Sequence, residues 1–216
     1  VMVTNSGAGY SMYNGLAVTR WREDTTRDSS GSFIYLRDIA SGDVWSGGHQ
    51  PVGKRARFYE VSFSEDKAVI RRRDSKIATT TEIIVSPEDS AEIRRVSITN
   101  NGPDVREIEI TSYSEIVLAP RLADAAHPAF SNLSIETEFN SAESSLIAQR
   151  RPRTETDEVI LAVHTIATDG ETIGAVQYET DRSRFLGRGH DTREPVAVVE
   201  DRPLSNTVGA VLDPIF

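Results

Sequence analysis

Apolar and polar residues alternate with a period of two through most of this chain, and no other feature limits its fold as much. From Ile77 onward, Thr79, Thr81, Ile83 and Val85 fall on one parity, as in a strand with one face toward a core. Val96 and Ile98 share a face in "EIRRVSITN", and Ile108 and Ile110 share one in "REIEITSYSE". Between these runs, "NNGPD" at 100–104 supplies turn chemistry. The two runs are therefore expected to form a β-hairpin. Further short runs occupy 33–37, 59–63, 67–71, 133–139, 145–149, 159–166 and 172–179, separated by Gly, Pro, Asn, Asp and Ser. No segment carries a sustained i, i+3, i+4 apolar stripe. About a dozen strands at this spacing predict an all-β fold, a large antiparallel β-sandwich. One domain is expected over residues 1–216, with "RRPRTETDE" at 150–158 as an exposed loop.

Composition narrows the function. At 38% hydrophobic and 26% charged, the chain can supply a proper core. The formal charge of −9 argues against nucleic acid as a main partner, because phosphate binding needs a basic face. Only "RRRD" at 71–74 and "RRPR" at 150–153 are locally basic. No run approaches the roughly 20 apolar residues of a membrane span, so no direct membrane insertion is expected. No signal peptide is recognisable either. The absence of cysteine excludes disulfides and thiolate metal sites, and fits a reducing compartment. "VMVT" already alternates at the first residue and the chain ends on apolar "VLDPIF". It reads as a fragment of a larger polypeptide.

Most candidate chemistry has a simpler explanation. The chain has 33 acidic residues, so close carboxylates arise by chance and solvated strand faces account for them. His49, His127, His164 and His190 show no metal-ligand spacing, and neither a metal nor a cofactor is expected. His164, in "LAVHTIA", reads as a satisfied core residue. His49 and His127 sit in turn-like settings, "SGGHQP" and "AAHPAFSN", where side chains are freer to meet a ligand. No GxSxG nucleophile elbow or GxGxxG phosphate loop is present.

The segment "GYSMYNGLAVTRWRED" at 9–24 stands apart. It gathers Tyr10, Tyr13 and Trp21 beside Arg20 and Arg22 in a chain only 7% aromatic. Aromatic faces stack on sugar rings, and arginine offers a fixed fork of donors to hydroxyls or carboxylates. If strand alternation persists through Arg20-Trp21-Arg22, Trp21 turns to the core and both arginines face a ligand or a neighbouring domain. An edge strand with salt-bridged arginines fits the same pattern.

Several stretches then carry a family resemblance. "VMVTNSGAGYSMYNGLAVTRWREDTTRDSSGSFIYLRD" resembles the N-terminal β-sandwich module of the inverting disaccharide phosphorylases, glycoside hydrolase family 94, formerly glycosyltransferase family 36. It is more similar still to modules of bacterial cyclic β-1,2-glucan synthases. "DVWSGGHQPVG", "VSPEDSAEIRRVSITNNG", "TSYSEIVLAP", "DAAHPAFSNL", "YETDRSRFLGRG" and "PLSNTVGAVLDPIF" continue it in order along the whole chain. "TRDSSGSF" and "NLSIETEF" depart from the pattern, each lacking an expected aromatic.

The resemblance implies a galactose mutarotase-like supersandwich, followed in the parent by an (α/α)6 barrel that holds the general acid. On that basis no catalytic residue is expected in these 216 residues. It further implies a β-glucan partner, the barrel of the same chain as a docking partner, a candidate homodimer, and a place on the cytoplasmic side of a bacterial inner-membrane protein. Tyr10, Ser11 and Tyr13 become candidates to edge the sugar cleft, Arg20 and Arg22 candidates for a domain contact or an acceptor-site hydroxyl, and Trp21 a candidate for the sugar or the interface. His127 to Asn132 would approach the active site from the sandwich side. A self-contained carbohydrate-binding module, a sugar-1-epimerase using His127 or His164, and a dimerisation scaffold remain as alternatives.

Overall fold

In the computed structural model, the described residues are 1–24, 26–152, 154, 159–200 and 202–216. In chain order the strands begin with β1 (Met2–Val3), β2 (Gly9–Tyr10), β3 (Met12–Tyr13), β4 (Leu16–Thr19), β5 (Phe33–Asp38) and β6 (Val44–Ser46). Next come β7 (Phe58–Phe63), β8 (Lys67–Asp74), β9 (Ile77–Val85), β10 (Glu92–Asn100), β11 (Ile108–Tyr113) and β12 (Ile116–Pro120). Two short helices follow, α1 (Arg121–Ala126) and α2 (Pro128–Asn132). The chain closes with β13 (Ile135–Asn140), β14 (Ser145–Arg150), β15 (Ile160–Thr165), α3 (Arg182–Leu186), α4 (Val196–Val199) and β16 (Gly209–Ala210). The sheets run β10-β9-β8-β7, β11-β5-β6, β12-β4-β3 and β15-β14-β13-β16, with β1-β2 as a small pair. Every pairing between these strands is antiparallel. The fold is thus the expected all-β sandwich.

Period-two alternation builds the layers directly. On one face of β5, Leu36 packs with Trp45 and Ile77, joined by half-buried Ile34, Ile98 and Ile108. On the other face, Phe33 and Tyr35 pack with Tyr113, Phe185, Val198 and Ile215. One strand therefore serves two cores, each lined by alternate residues. A third core joins Ile116 and Leu118 of β12 to Ile135, Leu146, Ala148 and Phe216. Gly9 is needed for close approach near the N-terminus, since a Cβ there would lie 2.0 Å from the Met2 carbonyl oxygen.

Several expectations need correction. The runs flanking "NNGPD" do not form a hairpin. β10 pairs with β9, whereas β11 crosses to β5. Ile98 and Ile108 both face the core between those two sheets, and burying both requires the chain to change layers. The turn itself docks on the β8–β9 turn, the Asn101 amide donating to the Lys76 carbonyl at 2.8 Å. Residues 172–179 are not a strand. Ile173 and Val176 stay exposed there, so the alternation has no face to bury. The turn read at "AAHPAFSN" is in part helical, spanning the end of α1 and all of α2. In the expected loop at 150–158, Arg150 instead closes β14, and Arg153 with residues 155–158 lie outside the described residues.

His164 is half-buried on β15, as a core-facing residue of a strand whose other face, with Leu161 and Val163, is exposed. Its Nε2 lies 2.9 Å from Ser112 Oγ and its ring stacks on Phe216. Burial lowers its pKa below the usual value. Below about pH 6.5 the unfolded chain therefore takes up a proton that the folded chain resists. Stability should fall as pH drops from about 6.5 toward 5. Replacing His164 with Gln should flatten that slope in urea titrations at stepped pH.

Candidate functional site

The sequence around Arg20 builds the most unusual feature of the molecule. β4 ends at Thr19, and the Arg20 amide donates to the Glu115 carbonyl at 3.0 Å. The Arg20 side chain points inward, on the parity of half-buried Leu16 and Val18, and is 3% exposed. Its Nε and Nη2 grip both carboxylate oxygens of Asp124 at 3.0 Å. Nη2 also donates to Asn132 Oδ1 at 2.6 Å, and Nη1 donates to Glu115 Oε2 at 2.8 Å and Asp213 Oδ1 at 3.1 Å. Every N–H donor of the guanidinium is used.

A second arginine completes the cluster. Arg182 Nε lies 3.0 Å from Glu115 Oε1 and 3.1 Å from the Tyr113 hydroxyl, while Nη1 is 3.4 Å from Asp213. Two guanidiniums thus bridge three carboxylates. Burial alone would raise the pKa of Glu115, but the charges of Arg182 and Arg20 outweigh it and hold it low. Burial would likewise depress Arg20, yet its bond to Asp124 and the surrounding carboxylates raise it further. Tyr113 is pushed up by burial and by the Glu115 charge. Arg20, Arg182 and Glu115 are therefore charged at neutral pH, and Tyr113 is neutral.

Its structural effect is to fix α1 and α2. Asp124 comes from α1 and Asn132 from α2, while Glu115 lies between β11 and β12 and Asp213 in the C-terminal segment. A second anchor lies beside it. The β12–β4 register is irregular between Ile116 and Ala119, and Leu118 has φ +48°. This bulge turns the Val117 and Leu118 carbonyls away from their neighbour strand. Arg150 takes both at 2.6 Å and also reaches Ser131 of α2. Bulges of this kind re-aim the chain beside functional regions.

Over this base lies an aromatic and cationic surface. Tyr10 and Trp21 rings meet at 5.4 Å with a 53° tilt. The Arg121 guanidinium lies 5.6 Å over Tyr10, a favourable cation–π placement, and pairs with Glu23. Beside it, α1 and the end of α2 expose Leu122 at 85%, Phe130 at 63% and Leu133 at 48%.

The expected site residues divide. Tyr10 and Trp21 meet on the surface, and Arg20 meets Asn132 beneath it. Tyr13 is exposed at the tip of β3. His127 is exposed between the helices, where its amide caps α1 by donating to the Ala123 carbonyl. Ser11 does not join them, because its hydroxyl donates to Glu92 on β10. Arg22 is exposed, with its amide donating to Ser30 Oγ. The expected alternation across 20–22 fails, because the strand stops at Thr19: Arg20 is buried and Trp21 is only half-buried. His49 stays exposed against Tyr59, and His190 bonds the Glu194 carbonyl. No metal-binding group occurs among the described residues. Asp124, Glu115, Asp213, Arg182 and Arg121 were not legible as site residues. They are scattered along the chain, and only the fold brings them together.

The fold is an antiparallel supersandwich that braces two short helices and an aromatic surface at one end. The chain belongs to the glycosyl hydrolase 94 supersandwich domain family, whose model matches residues 1–216. It is similar to cyclic beta-(1,2)-glucan synthase NdvB of Rhizobium meliloti (strain 1021), with 39% identity over 215 residues, covering 100% of this chain and 8% of that protein. It is also similar to N,N'-diacetylchitobiose phosphorylase of Vibrio furnissii, 29% identical over 93% of this chain and 25% of the relative. Solabiose phosphorylase of Paenibacillus borealis is 26% identical over 84% of the chain and 22% of its own length. The chain thus spans a quarter or less of each of these proteins.

The Arg20 cluster makes a direct prediction. Arg20→Met should cost about 3–5 kcal/mol in denaturant unfolding, because it strands buried carboxylates. Arg22→Met, at an exposed position, should stay within about 0.5 kcal/mol.

Proposed function

We propose that this chain is a noncatalytic accessory module of a β-glucan-processing enzyme. It docks on a helical-barrel catalytic domain of the same polypeptide and helps shape the carbohydrate cleft. The observation that carries this reading is the exposed apolar face of α1 and α2, set beside the Tyr10–Trp21–Arg121 stack and braced from below by buried ion pairs. Exposed leucine and phenylalanine on rigidly held helices suit a protein contact. The flanking arginine and aromatic rings suit the polar rim where such a contact meets a sugar. Interfaces between domains of one chain are commonly of this mixed character.

The small share of each relative that the chain spans supports a role as one part of a larger enzyme. The family, with a glucan synthase and disaccharide phosphorylases among its relatives, supports a carbohydrate as the partner. On this reading the module lies on the cytoplasmic side of an inner-membrane enzyme. No helix among the described residues is long and apolar enough to cross a membrane.

The test replaces Leu122 and Phe130 with Glu in the longer polypeptide that the reading requires. Limited proteolysis should then cut between module and barrel, and glucan-processing activity should fall at least tenfold. The unfolding midpoint of the module itself should not move for Leu122→Glu, whose side chain is 85% exposed. Unchanged activity and protease resistance would reject the docking role. A mass that rises with concentration, abolished by the same substitutions, would assign the face to self-association instead.

A further inference from the structure

A cleft of about 140 Å³ lies at the opposite end of β5 from the Arg20 cluster. It opens between the β5–β6 turn and the β8–β9 turn, and Arg106 closes one side from the β10–β11 connection. Asp38, Asp43, Asp74, Trp45, Lys76 and Arg106 line it. An engineered cavity of about 150 Å³ accepts a six-membered ring, so the space matches one pyranose unit.

The lining is held in place from behind. Asp74 is gripped by Arg72 at 2.7 and 2.8 Å, and Arg72 is itself buried, donating to the Ser46 carbonyl at 2.8 Å. Asp38 is 3% exposed, and its Oδ1 accepts from the Ala40 and Ser41 amides. Its Oδ2 has Arg106 only at 3.5 Å, too long for a strong bond. That oxygen retains capacity for another donor. Asp43 pairs outward with Lys54 at 3.0 Å. Among the described residues, the Lys76 ammonium has no ion-pair partner. Trp45 and Ile77 supply an apolar wall.

This mixture selects the ligand chemistry. A simple anion would meet three carboxylates, and a simple cation would meet Lys76 and Arg106. A neutral molecule with vicinal hydroxyls satisfies both, donating to Asp38 Oδ2 while accepting from Lys76. Its ring carbons can lie toward Trp45 and Ile77. We propose that this cleft is a second saccharide site, holding one neutral sugar unit of a glucan at the end of the module remote from the docking face. The choice of a sugar rests on the carbohydrate reading above; the site itself does not depend on docking.

The chain has only two tryptophans, Trp21 at the docking end and Trp45 in the cleft. Their indole N–H signals report the two ends separately. Titration of the chain with sophorose, the β-1,2-linked glucose disaccharide, should shift the Trp45 indole and the amides of 38–45 and 74–77 saturably. Lys76→Ala should weaken this binding about tenfold, the order expected for a hydrogen bond to a charged group. Lys76→Arg should recover part of the loss. Lys76 is exposed and unpaired, so neither substitution threatens the fold. A Trp45 signal unmoved at saturating sophorose would overturn the proposal, and so would equal shifts with glycerol at matched hydroxyl concentration. Shifts confined to Trp21 would also overturn it, moving the sugar contact to the docking end. A silent Trp45 alongside detached Leu122 and Phe130 variants would sink this site alone. A responsive Trp45 with unaffected docking variants would sink only the docking role.

Discussion

Arg20 is buried with three carboxylates around it, and the end of the sandwich that carries α1 and α2 depends on that arrangement. Taking these charges out of water costs several kcal/mol per ion unless each finds partners of good geometry. Here they do. The guanidinium spends all its donors, and Arg182 closes the remaining carboxylate oxygens. The result is less a source of net stability than a constraint on shape. Removing one partner leaves the others stranded, so only one placement of α1, α2 and the C-terminal segment satisfies them together.

That constraint explains how helices as short as five and six residues hold their positions. Isolated segments of that length do not form stable helices in water. Neither N-cap position carries a side-chain cap. Their order comes from tertiary contacts: Asp124 and Asn132 to Arg20, and Ser131 to Arg150. With the inward side of the helices fixed by ions, Leu122, Phe130 and Leu133 are left exposed. The exposed apolar surface is thus a consequence of where the polar residues had to go.

The layered fold was legible in the sequence because period-two burial is local. β5 is apolar on both parities, so the sequence showed it only as a short run at 33–37; the structure then gives each parity its own core. The turn at 100–104 was misread for a related reason. Turn chemistry fixes that the chain reverses, but not which neighbour the next strand takes. That choice was made by Ile98 and Ile108 sharing one core. The gathering of Tyr10 and Trp21 in one segment was legible, but the sequence pattern placed Trp21 in the core, and only the structure shows it half-buried against Tyr10. The ion cluster was not. Asp213 lies 193 positions from Arg20, and among so many acidic residues no local pattern marks the few that will be buried.

The fate of Arg20 and Arg22 shows why a charged pair in one short segment can serve opposite ends. Both follow an ordinary strand, and both were expected on the wet face. The strand ends at Thr19, and the Arg20 amide continues its pairing by donating to the Glu115 carbonyl. Arg20 keeps the parity of half-buried Leu16 and Val18, and Asp124, Asn132, Glu115 and Asp213 hold its side chain inside. Trp21 is then left half-buried against Tyr10 instead of filling the interior, and Arg22 is returned to solvent. The end of β4 thus leaves Arg20 to brace the helices through its side-chain bonds, and Tyr10, Trp21 and Arg22 at the surface.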